Sequence, residues 1–175
     1  MDRKLRLTVQ KNLCLKAPLE KNRDGGSKMN IEKLINKDTV FFIDKQNKTE
    51  VLRELTHKAH LLGSLTDEAL FQQAIEEREA LLSTGIGLGV AIPHAKIESV
   101  THFFVVTGIC KTPIAWDSLD HKPVSLVFLI GGPEEEQVRY LQILSQLMIA
   151  IKDDAKREAM LAAGTTEAFI ARLMG

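Results

Sequence analysis

Between residues 78 and 96 the chain reads REALLSTGIGLGVAIPHAK, a short stretch that gathers a histidine, an arginine, two hydroxyls and three alternating glycines. Neutral imidazole is a good nucleophile near pH 7 because its pKa lies close by. If residues 89–94 form a strand, Leu88, Val90, Ile92 and His94 share one face and Gly89, Ala91 and Pro93 the other. Pro93 cannot donate to a ladder, so it marks a strand end and delivers His94 to the mouth of the sheet. Arg78 falls seven residues after Phe71 and three after Ile75, inside a helical apolar stripe, where a guanidinium needs an anionic partner. Its planar fork of donors suits a phosphate. Ser83 and Thr84 add hydroxyl donors, and the backbone at Gly85 and Gly87 can add amides in an anion nest. Together these groups suit acceptance of a phosphoryl group, a reaction that rests on positioning and charge stabilisation and calls for no metal or cofactor.

Plainer readings of the same residues stand beside this one. His94 can be a satisfied structural histidine, Arg78 half of a structural ion pair, and Gly85 and Gly87 the turn before a core strand. A nucleotide loop fits poorly. The dinucleotide fingerprint needs G-x-G-x-x-G after a strand and opening a helix, whereas Gly85, Gly87 and Gly89 alternate and follow a helix. A P-loop needs G-K-[ST], which the chain lacks.

The elements that must position these residues follow from periodicity. Residues 39–43 (TVFFI) read as a buried strand. Residues 48–62 place Val51, Leu52, Leu55, Ala59 and Leu62 on one helical face, with Gly63 as a stop. Thr66 and Asp67 can cap a second helix whose stripe is Leu70, Phe71, Ala74, Ile75, Leu81 and Leu82. Residues 102–111 and 123–132 are two further strands rich in Val, Ile and Phe. A helix over 134–151 carries Leu141, Leu144, Leu147 or Met148, and Ile151, and short helices follow over 153–162 and 166–174, with Thr165 capping the last. Two helices precede three of the strands and three follow, so the pattern predicts an α/β chain of α+β-like character. Its mixed sheet is flanked by helices and is not a βαβ array.

The totals fit one domain and a tail. The chain has 175 residues, with 45% hydrophobic and 26% charged. Formal net charge is zero, but residues 1–28 hold eight Lys/Arg against three Asp/Glu. This basic stretch, broken by EKNRDGGSK, reads as a flexible N-terminal extension, with the domain proper over 29–175. Its charges are scattered and without aromatics, which argues against a nucleic-acid partner. Two cysteines, Cys14 and Cys110, make no disulfide framework and suit a reducing cytoplasm. No apolar run approaches the roughly 20 residues that span a bilayer, so membrane insertion is not expected.

The segment 78–96 resembles the active-site signature of phosphotransferase-system enzyme IIA domains of the fructose/mannitol type, including the nitrogen-regulatory branch; HKPVSLVFLI (121–130) is a supporting resemblance. It implies a mixed five-stranded sheet with helices on both sides. It implies that His94 is phosphorylated at Nε2 and that Arg78 stabilises the phosphoryl group. The implied donor is phosphorylated HPr or a nitrogen-branch homologue. The implied acceptor is a cysteine of an enzyme IIB, or there is none and a regulatory target reads the phosphorylation state. The family often has a second histidine near the start of the helix after the last core strand, where this chain has Tyr140. A phenol can hydrogen-bond a phosphate or orient His94 but does not share proton chemistry near pH 7; Tyr140 can equally be plain helix packing.

The remaining candidates are weaker. His57 and His60 lie at i, i+3, but no third ligand or cysteine cluster supports a metal site. His102 and His121 read as strand-edge and turn residues, and Asp117 and Asp120 flank a turn. Two classes of function remain: a phosphocarrier enzyme in a transfer chain, and a binding protein whose partners respond to phosphorylation of His94.

Overall fold

Alternation along the two longest strands builds a sheet with two apolar faces. The computed structural model describes residues 30–175; the N-terminal stretch set apart above and Cys14 lie outside the described residues. Strand β1 (Val40–Ile43) is followed by helices α1 (Lys48–Leu61) and α2 (Glu68–Leu81), then by β2 (Gly85–Gly87), β3 (Val90–Ala91) and β4 (His94–Lys96). Strands β5 (Phe104–Ile114) and β6 (Val124–Gly132) precede α3 (Gln137–Lys152), α4 (Asp154–Leu161) and α5 (Thr166–Met174).

The order across the sheet is β1-β5-β6-β3-β2, with β4 also along β6. Strands β5 and β6 are antiparallel (Gly108 opposite Val127), β1 is parallel to β5, and β3 and β4 are parallel to β6. In β5, Val105 and Ile109 face one core with Leu126, Phe128 and Ile130 of β6, under Ile143, Leu147 and Ile151 of α3 and Phe169 of α5. Phe104 and Val106 face the other core, with Val127 and Leu129, under Leu52 and Leu55 of α1 and Phe71 and Ile75 of α2. Helices therefore cover both faces, as expected. Asn47, Asp67, Asp153 and Thr165 cap α1, α2, α4 and α5 by accepting from backbone amides. Of the two residues proposed to cap α2, Asp67 does so, while Thr66 donates to the Ser99 carbonyl.

Two helical stripes differ from the pattern read in the sequence. The buried line of α2 is Phe71, Ile75 and Glu79, while Leu81 is 83% exposed and Leu70 and Leu82 are exposed too. The spacing of four continues past Ile75 to a carboxylate, a choice that composition alone does not suggest. In α3 the core residues are Tyr140, Ile143, Leu147, Ala150 and Ile151, and Leu141 is exposed.

The glycine stretch also differs. Gly85 is part of strand β2 rather than a turn residue: a Cβ there would meet the Ser118 backbone at 2.9 Å and Oγ at 2.6 Å, so only glycine lets that loop pack. The reversal comes one step later, where Gly87, Leu88 and Gly89 all have positive φ and turn the chain back so that β2 and β3 pair antiparallel. Leu88 is therefore an exposed turn residue and does not share a strand face with His94. The break at Pro93 is present, but the chain resumes pairing with β6 at once. Pro93 accepts from the Ile130 amide at 2.9 Å, and His94 stands in register with Ile130.

Candidate functional site

Strand β4 presents His94 at the level of the sheet between its two helical layers. The last turn of α2 brings Arg78 from one side and the first turn of α3 brings Gln137 and Tyr140 from the other. These side chains line an open hollow of about 410 Å³ together with Ala74, Glu77, Leu81, Ala95 and Lys96.

The hydrogen bonds of His94 define its protonation. Nε2 lies 3.2 Å from Arg78 Nε, and Nδ1 lies 2.8 Å from the Ile92 carbonyl. A guanidinium only donates, so Nε2 is the nitrogen with the free electron pair and Nδ1 carries the hydrogen. Burial holds the imidazole below its ordinary pKa, and the charges of Arg78 and Lys96 act in the same direction, against the Ile92 carbonyl and Glu79. The ring is thus neutral at pH 7 on both counts, with its lone pair at the hollow. Arg78 is itself oriented by an Nη1 bond to the Leu82 carbonyl at 2.9 Å.

Tyr140 stacks its ring 5.4 Å from that of His94 at 46°. It is 6% exposed, and its hydroxyl has no hydrogen-bond partner. Burial pushes the phenol up to about 12, with Arg78 pulling back, so it remains a donor at neutral pH. Lys96 places Nζ 5.6 Å over the Tyr140 ring and donates to Gln137 Oε1 and the Glu134 carbonyl. A nucleophilic nitrogen and two cations thus converge on one hollow lined by the Tyr140 ring, an arrangement able to take up a dianionic phosphoryl group.

The sequence-predicted site residues divide. His94, Arg78 and Tyr140 come together. Ser83, Thr84, Gly85 and Gly87, expected to form an anion nest, are not among the residues that line the hollow. Ser83 Oγ shares its one hydrogen between the Trp116 carbonyl at 2.9 Å and Glu79 at 3.2 Å, and both the amide and the hydroxyl of Thr84 go to Glu79. The Gly85 amide is taken by Ser83 Oγ, while Gly87 packs against Asp120, which also accepts from the Leu88 amide. The other candidates lie elsewhere: His57 bonds Glu68, His60 the Leu65 carbonyl, and His102 the Thr101 hydroxyl. Asp117 pairs with Lys48.

Lys96 and Gln137 line the hollow as well, and the sequence pattern did not single them out. Lys96 was available from strand periodicity, two residues after His94 on the same face. Gln137 was available from helix periodicity, three residues before Tyr140.

Comparison with known proteins agrees with this geometry. The family model described as "Phosphoenolpyruvate-dependent sugar phosphotransferase system, EIIA 2" matches residues 33–174, and the chain belongs to this family. It is 35% identical over 143 residues to the PTS system fructose-specific EIIABC component of Bacillus subtilis, covering 81% of this chain and 22% of that protein. The chain thus spans about a fifth of the length of that relative. The nitrogen regulatory protein IIA-Ntr of Neisseria meningitidis has the same fold at a TM-score of 0.77 and 28% identity, over 82% of this chain and 98% of its own. A complex of enzyme IIAMTL and phosphorylated enzyme IIBMTL from Escherichia coli matches at a TM-score of 0.70 and 21% identity, over 81% and 97%, a likeness of fold.

Proposed function

We propose that this protein is a phosphocarrier of the sugar phosphotransferase system that accepts a phosphoryl group from phosphorylated HPr, or an HPr-like carrier, on Nε2 of His94. The observation that carries this reading is the pair of bonds that leaves the His94 lone pair on Nε2, beside Arg78. In the reaction the Nε2 lone pair attacks phosphorus, the P–N bond to the donor histidine breaks, and its electron pair returns to the donor ring. No proton has to move, because Nδ1 keeps its hydrogen on Ile92. The Arg78 Nε–H leaves the lone pair and follows the charge onto the phosphoryl oxygens. Tyr140 supplies its unpartnered hydroxyl, and Lys96 a second positive charge.

The site is shallow, and exposed apolar side chains stand on the helix turns that carry it: Leu81 and Leu82 on α2, Val138 and Leu141 on α3. That suits a protein partner better than a small molecule. The Escherichia coli neighbour of the same fold is held in a complex with phosphorylated enzyme IIB, which supports onward transfer to an enzyme IIB cysteine. A second reading, in which phosphorylated His94 is read by a regulatory target, uses the same site and is supported by the likeness to a nitrogen regulatory protein of the same fold. We assign the protein to the cytoplasm, where its donor would be found. Among the described residues no helix is long and apolar enough to cross a membrane. We place residues 1–28 outside the phosphocarrier domain, in keeping with a family match that starts at residue 33.

The test is incubation with a phosphorylated HPr-type donor. The expected product is an acid-labile, alkali-stable phosphate on this protein, and none on His94→Ala. Equal labelling of the variant would refute the assignment, and a subsequent assay with an enzyme IIB acceptor separates transfer from regulation.

A further inference from the structure

Glu79 is the one buried carboxylate among the described residues, its side chain 5% exposed. A carboxylate taken out of water is costly unless its lone pairs are met. Here they are met almost entirely by one dipeptide. Thr84 N–H lies 3.1 and 3.2 Å from the two oxygens, Thr84 Oγ1 2.5 Å from Oε2 and Ser83 Oγ 3.2 Å from Oε1, and Lys48 Nζ completes the set at 3.3 Å. Ser83 and Thr84 join α2 to β2, so the carboxylate clamps the exit of the helix that carries Arg78.

The contacts do not stop at Thr84. Its carbonyl accepts from the Ile92 amide at 3.0 Å, and the Ile92 carbonyl accepts from His94 Nδ1 at 2.8 Å. Three hydrogen bonds therefore run in one direction from the imidazole to Glu79: His94 to Ile92, Ile92 to Thr84, Thr84 to Glu79. They pass from residue to residue and not through a single peptide group, so the train transmits position. The charge of Glu79 acts on the ring through space, opposing the effects of Arg78 and Lys96. An ion pair serving stability alone would need neither the clamp on Thr84 nor the register that leads from it to Nδ1.

We propose that Glu79 is a positioning residue of the phosphoacceptor site: it fixes, through Thr84 and Ile92, the carbonyl that keeps hydrogen on His94 Nδ1, and its negative charge offsets the positive charge the ring acquires with the phosphoryl group. The inference rests on the proposed phosphorylation of His94 and adds a residue that touches neither phosphate nor imidazole. The charged and titratable groups around the ring are Arg78 and Glu77 from α2, Lys96 from β4 and Tyr140 from α3. Those around Glu79 are Lys48 from α1 and, through Lys48, Asp117.

The decisive comparison is Glu79→Gln, which keeps the side-chain shape and loses the charge, beside Glu79→Asp, which restores it. Nitrogen-15 NMR of His94 reports the tautomer directly, and phosphorylation by the HPr-type donor is followed against pH. In Glu79→Gln the Nδ1–H tautomer fraction falls. Loss of a nearby anion lowers the ring's pKa, so the acid limb of the rate profile moves to lower pH, while the rate at neutral pH drops about tenfold. Glu79→Asp recovers part of both. A folded Glu79→Gln protein with a lower melting temperature but the wild-type tautomer and acid limb overturns the proposal, because that is the behaviour of a purely structural ion pair. If the variants do not fold, wild-type protein decides: the Thr84 and Ile92 amide resonances shift together with the His94 titration, and resonances that stay still overturn the proposal. The NMR readouts need no donor, so wild-type protein that takes no label refutes the phosphocarrier reading separately.

Discussion

If the phosphoryl group is bound as proposed, replacing Tyr140 by Phe is expected to move stability and phosphate affinity in opposite directions. The Tyr140 hydroxyl is buried without a partner while its ring packs in the core against the sheet. A buried polar group left unsatisfied costs about 1–3 kcal/mol, and Phe removes that cost with the ring unchanged. The unphosphorylated variant is therefore expected to gain about 1–2 kcal/mol, or roughly 3–6 °C in melting temperature for a chain of this size. On the proposed reading, a phosphoryl group on His94 offers the same hydroxyl a charged acceptor, a bond that would be worth about 1.5–3 kcal/mol. Losing that bond shifts the phosphoryl exchange equilibrium toward the donor by about 10- to 150-fold. Two assays suffice: thermal melts without phosphate, and the ratio of phosphorylated to free protein after equilibration with a defined excess of phosphorylated donor. An unchanged exchange ratio would show that the phenol serves packing only. A loss of stability would show that the hydroxyl is satisfied in the free protein.

Arg78→Ala removes the side chain that we propose contacts the phosphoryl group and is expected to slow phosphorylation by about 10- to 150-fold. Because Arg78 is only half-buried, at a helix end, circular dichroism should show the fold intact; an unfolded variant would mark a structural ion pair instead. The depressed pKa of His94 predicts a pH dependence of stability. A histidine lowered on folding contributes stability that is present above its unfolded value of 6.5 and is lost as pH falls through the lower folded value. Melting temperature should therefore fall over that acid window in wild type and fall less in His94→Asn; parallel curves for the two proteins would refute the shift.

How much of this was legible in the sequence depended on whether the deciding contact was local. His94 stands out from the period of two along a strand and the missing amide of Pro93, and Arg78 from the helix phase set by Phe71 and Ile75. Both signals lie within a few residues of their subject. The mistaken turn of α2 has a different origin. Leu81 and Leu82 extend an apolar stripe on paper. The buried position is nevertheless Glu79, because Ser83, Thr84 and Lys48 supply its donors, and Lys48 lies 31 residues away. A carboxylate enters a core only where such donors already wait; Ser83 and Thr84 are local, but that their donors turn back to Glu79 and meet Lys48 there is set by the fold. The glycines mislead in the same way. Their lack of side chains is plain, but what approaches them is not: Ser118 and Trp116 at Gly85 and Asp120 at Gly87, all from the connection between β5 and β6.

The corrected roles of these residues change what the site must do to react. On the proposed function, with Ser83, Thr84 and the Gly85 amide engaged elsewhere, phosphoryl binding would rest on side chains that already hold partners. Arg78 lies on the nucleophilic nitrogen itself, and Lys96 is bonded to Gln137 and Glu134. A rigid nest would hold any anion of suitable size, free phosphate included. Under the proposed reaction Arg78 would exchange a neutral acceptor, Nε2, for charged oxygens as phosphorus bonds to that same nitrogen. The gain in electrostatic energy therefore accompanies the transfer step, as differential binding requires. In that scheme the proposed clamp at Glu79 would hold the imidazole in place while Arg78 changes its acceptor.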